Sequence, residues 1–220
     1  MKLLAIFLFT STLVFSQGEH VWNDGIGIGL GYHYGYAENF SGNGFNIGLS
    51  ILGIADLAYS NMSGTNSTTS AGDKKSSSST YHLGLNLKTT GTNTKLIIGY
   101  ATASLRPTYD RGSNASGMIF GLKFNFKAFD DKYVFLMPGI GFTYGSLSNS
   151  GNSGAREKEK SVDLWSFGIE FNIDIQPSDS FKFIISPALS KELLHNVSPV
   201  TIGISFGLLL NPRLETQEYE

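Results

Sequence analysis

The chain has 220 residues, no cysteine, a net charge of −2 and 15% charged residues, against 26 glycines, 16 phenylalanines and 10 tyrosines. That length fits one β domain or two small ones. The absence of cysteine excludes disulfides, thiolate metal sites, cysteine nucleophiles and a lipidated cysteine, and the charge balance offers no nucleic-acid-binding face.

At the N-terminus, Met1-Lys2 precedes an apolar run from Leu3 to Phe15 and then Ser16-Gln17. A basic start, an apolar stretch too short to span a bilayer and a small residue before the cut predict a cleaved signal peptide over 1–16, leaving 17–220 as one domain. Beyond it no segment approaches the roughly 18 continuous apolar residues of a membrane helix.

The first element reads GIGIGLGYHYGY, from Gly25 to Tyr36. Its glycines are not spaced for a dinucleotide fingerprint, because neither Leu30 nor Tyr32 supplies the last glycine. They recur at every second residue, opposite Ile26, Ile28, Leu30, Tyr32, Tyr34 and Tyr36, which is strand period with one nearly bare face. The same alternation returns over 44–60, 81–88, 118–127, 165–175 and 200–210. The predicted strands are 25–36, 44–51, 54–60, 80–89, 94–104, 116–127, 133–145, 161–175, 181–190 and 199–210, ten in all, with eight as the alternative count. The apolar stretch Leu52–Ala55 must turn, although the alternation runs unbroken through it. Pro138 and Pro187 fall inside strands and are read as bulges.

Short connections at 90–93, 128–132 and 176–180 take turns with long ones at 61–80, 106–116, 146–160 and 191–199, so the long ones project from one end. The stretch 61–80 is Ser/Thr/Gly/Asn-rich and reads as a surface loop. The second face of the strands is Gly, Ser, Thr, Asn and Ala rather than the charged skin of a soluble sandwich. It suits the cramped interior of a small closed barrel, with the apolar face toward lipid. The predicted class is all-β, an antiparallel up-and-down transmembrane barrel. Tyr34, Tyr36, Tyr59, Tyr81, Tyr100, Tyr144 and Trp165 then form an aromatic girdle at the long-loop end, and Phe126, Phe129, Tyr133 and Phe181 one at the other.

The chain resembles the small outer-membrane β-barrel proteins of Gram-negative bacteria, and its N-terminus ending Phe15-Ser16-Gln17 is similar to those of the Bacteroidota-type outer-membrane barrel families. The resemblance is architectural and implies a place in the bacterial outer membrane with membrane lipid as partner. It transfers no residue-level activity.

Among polar residues, His33, His82, Lys88, Lys123, Glu170 and Asp174 are the candidates for the interior face, with Asp56, Lys95, Lys127 and Lys182 as further charges there. Two readings compete: a salt-bridge network that seals the barrel, or the lining of a charge-selective pore. His33 and His82 could reach the outer rim, where barrel hydrolases carry their catalytic groups. Neither has a partner at diagnostic spacing, so no catalytic residue is assigned. No spacing for a metal, haem or nucleotide occurs, and no cofactor is expected. The expected function is a structural or surface-binding, adhesive role, with an extracellular ligand or host surface met through loops 61–80 and 146–160. A narrow passive channel is the first alternative and a rim hydrolase acting on lipid or peptide the second.

Overall fold

The computed structural model describes residues 25–37, 40–68, 72–106, 113–131, 133–149, 162–178, 180–193 and 200–210. The predicted signal peptide, His20 and His195 lie outside them. The described elements are β1 (Ile26–Ala37), β2 (Phe40–Ile51), β3 (Ala55–Thr68), β4 (Gly72–Lys88), β5 (Thr92–Arg106), β6 (Ser113–Phe126), β7 (Phe129–Asp130), β8 (Val134–Asn149), β9 (Val162–Ser178), β10 (Phe181–Glu192) and β11 (Val200–Leu210). Each pairs antiparallel with the next in the chain except β6, which pairs with β8 and not β7, and β1 pairs with β11. Ten strands therefore close into a barrel, while β7 is a two-residue rung in the β6–β8 turn.

Followed from partner to partner once round the wall, the register leaves β1 at Ile26 and returns to it at Tyr36, a stagger of ten residues. Ten strands with that stagger tilt by about 35° and enclose a backbone radius of about 9 Å. The apolar outward run of β1, from Ile26 to Tyr36, then rises about 27 Å along the axis, close to the apolar band a membrane barrel needs.

The ten strands match the predicted count but grow at the long-loop end. Residues 61–68 and 72–80 are not a loop; they continue β3 and β4 and pair from Asn61↔Ser79 up to Thr68↔Gly72. A run of serines hides its own alternation. Ser76, Ser78 and Thr80 are buried and Ser77 and Ser79 are not, yet near-identical side chains give no period to read. In the same way 113–116 and 146–149 belong to β6 and β8. The β2–β3 turn explains the unbroken alternation through Leu52. Ile51 pairs with Ala55 across three residues, so both ends of the turn have the same parity. Leu52 and Gly53 both take the left-handed conformation, at φ 52° and 58°, and Ile54 N donates to Ile51 O at 3.0 Å.

Pro138 and Pro187 are not bulges. Pro138 pairs with Phe171, and the neighbouring pairs Ile185↔Ile173 and Ala188↔Glu170 place Pro187 opposite the same residue with the register unshifted. All three face outward, and the barrel absorbs the two missing donors around one rung. The irregularity lies lower, between Phe181 and Phe183 opposite the β9 end.

Candidate functional site

Two surfaces carry the polar chemistry: the interior and the outer wall above the upper aromatic ring. Inside, the strands meet across a space too narrow for every position to hold a long side chain. Bridges that leap over a strand fill it, and the leapt strand carries a glycine. Lys95 on β5 reaches Asp56 on β3 at 2.6 Å, and a Cβ at Gly84 on β4 would stand 3.0 Å from the lysine Cδ. Lys123 on β6 reaches Glu170 on β9 at 2.6 Å, past β8, where a Cβ at Gly139 would stand 3.0 Å from Glu170 Cγ. Asn46 on β2 donates to Ser205 on β11 at 3.4 Å, and a Cβ at Gly31 on β1 would overlap both.

Amides extend the ion pairs. Asn86 donates to Asp56 at 2.7 Å and Asn93 to Asn86 at 3.0 Å; Asn172 donates to Glu170 at 2.8 Å and accepts from Ser186. Lys123 is 0% and Lys95 1% exposed, so both ammonium groups are buried against their acids. Ile97 of β5 packs on Ala188 of β10 across the lumen, and Ala101, Ala115, Ile119, Leu147 and Leu164 fill the space toward the long-loop end.

His33 and His82 are inside the barrel, 2% and 6% exposed, rather than at the rim. Strand parity turns them inward, and they stand on β1 and β4 with two strands between. His33 lies over Gly44, where a Cβ would come 2.5 Å from its Nε2. Asp174 is buried on β9, and Lys182 places its Nζ 4.2 Å over the Phe135 ring. One inward candidate sits elsewhere. Lys127 is in the β6–β8 turn, paired with Asp130, because β6 ends at Phe126. Lys88, the last residue of β4, keeps the inward parity of His82, Gly84 and Asn86 and is half-buried at the short-turn mouth. Among the described residues no cluster of His, Cys, Asp and Glu could hold a metal.

Outside, the predicted girdle residues Tyr34, Tyr36, Tyr81, Tyr100 and Trp165 are exposed, and Tyr59 and Tyr144 half-exposed. Tyr144 and Trp165 are cross-strand partners with ring centroids 5.2 Å apart. Sequence reasoning missed what stands above them. The outward faces of β3 to β6 and β8 continue as a polar collar of Asn61, Ser63, Ser77, Ser79, Thr102, Ser104, Asn114, Ser116, Ser146 and Ser148. It is held by side-chain bonds such as Ser77 to Ser104 at 2.7 Å and Asn61 to Ser79 at 3.0 Å.

A closed antiparallel barrel with an apolar outward belt, aromatic rings and a packed polar interior is a transmembrane β-barrel. No protein-family model matches the chain, and no curated protein matches it in sequence. Its fold is similar to the translocator domain of the autotransporter NalP from Neisseria meningitidis, with a TM-score of 0.56 and 10% identity, covering 87% of this chain and 90% of that one. It is also similar to the transport unit of the autotransporter AIDA-I from Escherichia coli, with a TM-score of 0.51 and 11% identity, covering 95% of each. At such identities the likeness carries the fold and not the activity.

Proposed function

We propose that the chain is an outer-membrane barrel of a Gram-negative bacterium whose interior is a seal and whose work is done on its outer surface, as an adhesive, recognition or structural protein. The Bacteroidota-type assignment is part of this proposal and rests on Phe15-Ser16-Gln17. The observation that carries the reading is the interior layer of Lys95–Asp56 and Lys123–Glu170, ion pairs buried beneath the Ile97–Ala188 contact. A conducting pore needs a wet path, and this layer argues against one. The burial of His33 and His82 argues likewise against chemistry on lipid at the rim.

Refolded protein in planar bilayers is expected to show no stable conductance, and cells displaying it to bind a surface or ligand that is lost when 150–161 is replaced by Gly-Ser. Steady single-channel currents altered by Lys123→Met would overturn the sealed reading.

A further inference from the structure

The outward apolar runs of the strands differ in height. On β1, β8, β9 and β11 they cover Ile26–Tyr36, Val134–Tyr144, Trp165–Ile175 and Val200–Leu210, each about 27 Å along the barrel axis. On β6 and β10 they cover Met118–Phe126 and Phe181–Leu189, about 22 Å. On β2 and β4 they shrink to Phe45–Ile51 and Tyr81–Leu87, about 16 Å, and on β3 and β5 to Ala55–Tyr59 and Leu96–Tyr100, about 11 Å. A membrane barrel needs an apolar band of about 25 Å, and four adjacent strands fall well short of it.

The band is short at both borders. Each residue along a strand, and each step between partners taken from β1 toward β11, climbs about 2.7 Å. At the height where Asn43, Asn61 and Ser79 face out on β2, β3 and β4, the rest of the wall still presents Met118, Tyr144, Trp165 and Val200. Higher on the short side stand Ser63, Ser77 and then Lys75, whose β5 partner is Arg106. At the lower border Thr94 faces out at the foot of β5, level with Pro138 and Ile185 on the other side. Below Ile51 the turn Leu52–Ile54 closes the wall, whereas Val134 and Phe181 carry apolar surface to about 8 Å beneath the height of Ile51. Tilting a uniform band would raise or lower both borders together on one side. Here they approach each other.

We infer that the β2–β5 face thins the bilayer beside it, drawing the headgroups of the two leaflets together along that side of the barrel. The partner it acts on is the surrounding lipid. An amide such as Asn61 is costly to place in hydrocarbon, whereas a bilayer meets a short apolar span by thinning at modest cost, so the lipid yields and the collar stays wet. The inference rests on the apolar band facing lipid.

The chain has no cysteine, so single spin labels can be placed without other changes. Asn61→Cys and Tyr144→Cys lie at equal height near the upper border, and Thr94→Cys and Ile185→Cys at equal height near the lower one. The full chain is refolded in dioleoylphosphatidylcholine bilayers, and power saturation compares a water-borne nickel chelate with oxygen, which concentrates in hydrocarbon. Labels at 61 and 94 are each expected to read shallower than their counterparts at 144 and 185 by about 5 Å. Ser79→Leu with Thr102→Leu, which lengthens the band, should carry the label at 61 into the hydrocarbon. The inference falls if labels 61 and 94 lie as deep as their counterparts, or if one is shallower and the other deeper, the mark of tilt. It falls also if both are shielded from nickel and oxygen alike, the mark of a second copy packed on this face, or if the leucine pair leaves label 61 where it was. Labels at 144 and 185 outside the hydrocarbon would overturn the lipid-facing band itself. Heat-modifiable migration confirms that each variant is folded.

Discussion

Lys95 and Lys123 are cross-strand partners on β5 and β6, and they turn away from each other, one to Asp56 and the other to Glu170. Two buried cations on adjacent strands would repel strongly if either lost its acid. Each acid is bonded in turn by an asparagine, Asn86 or Asn172, so the layer is organised around neutralising that lysine pair.

Glu170→Gln leaves Lys123 without its carboxylate at 0% exposure. The expected loss is about 3 kcal/mol of unfolding free energy in detergent, whereas Lys123→Met with Glu170→Leu together should recover most of it. Urea titrations of the refolded barrels decide this. A single variant as stable as the parent would show that the pair contributes little.

Two interior glycines and one in the β4–β5 turn make a graded test of space. A Cβ at Gly117 would overlap the Ser146 carbonyl oxygen, which is backbone, while one at Gly145 would meet nothing nearer than 3.7 Å and one at Gly91 nothing within 4 Å. Gly117→Ala is expected to cost at least about 2 kcal/mol, with Gly145→Ala and Gly91→Ala close to neutral. The ranking is read from thermal midpoints of the three variants.

Leu52 holds a left-handed conformation at φ 52° without being glycine, asparagine or aspartate. It is 42% exposed, so the side chain contributes little packing. Leu52→Asn should stabilise the β2–β3 turn by about 1 kcal/mol, because asparagine tolerates this backbone at lower cost. Unfolding midpoints give the sign; a destabilised variant would mean that Leu52 is needed for contact with the membrane interface.

Trp165 places the barrel in the bilayer. The chain has two tryptophans, so Trp22→Phe leaves Trp165 as the sole one. Brominated lipids with the bromines near the headgroup are expected to quench it more than those brominated at the chain end. The opposite order would move the belt away from its assigned depth.

Strand period and turn spacing made the barrel legible because its two faces differ in size and polarity along most of every strand. Ile28 against Gly29 or Phe120 against Gly121 cannot be mistaken. The signal failed where both faces carry the same residues, as from Ser76 to Ser79, and there a wall was read as a loop. It failed for the prolines because a barrel can leave one rung unbonded without shifting register, as it does around Phe171. The charges facing the lumen could be named from parity. Their pairing could not, since Lys123 and Glu170 are 47 positions apart and meet only because β6 and β9 both border β8.

The seam between β1 and β11 joins the most distant parts of the described chain, from Ile26↔Leu210 to Tyr36↔Val200, and every other strand contact is already available before it forms. Assembly is therefore all-or-none. A chain lacking β11 would not be nine-tenths of a barrel; it would be a curled sheet with two bare edges, each presenting unpaired amides and carbonyls to hydrocarbon at several kcal/mol apiece. Such contacts between sequence-distant strands are also the slowest to form. Whatever cellular machinery inserts this protein must hold those two edges apart from lipid until the last strand arrives.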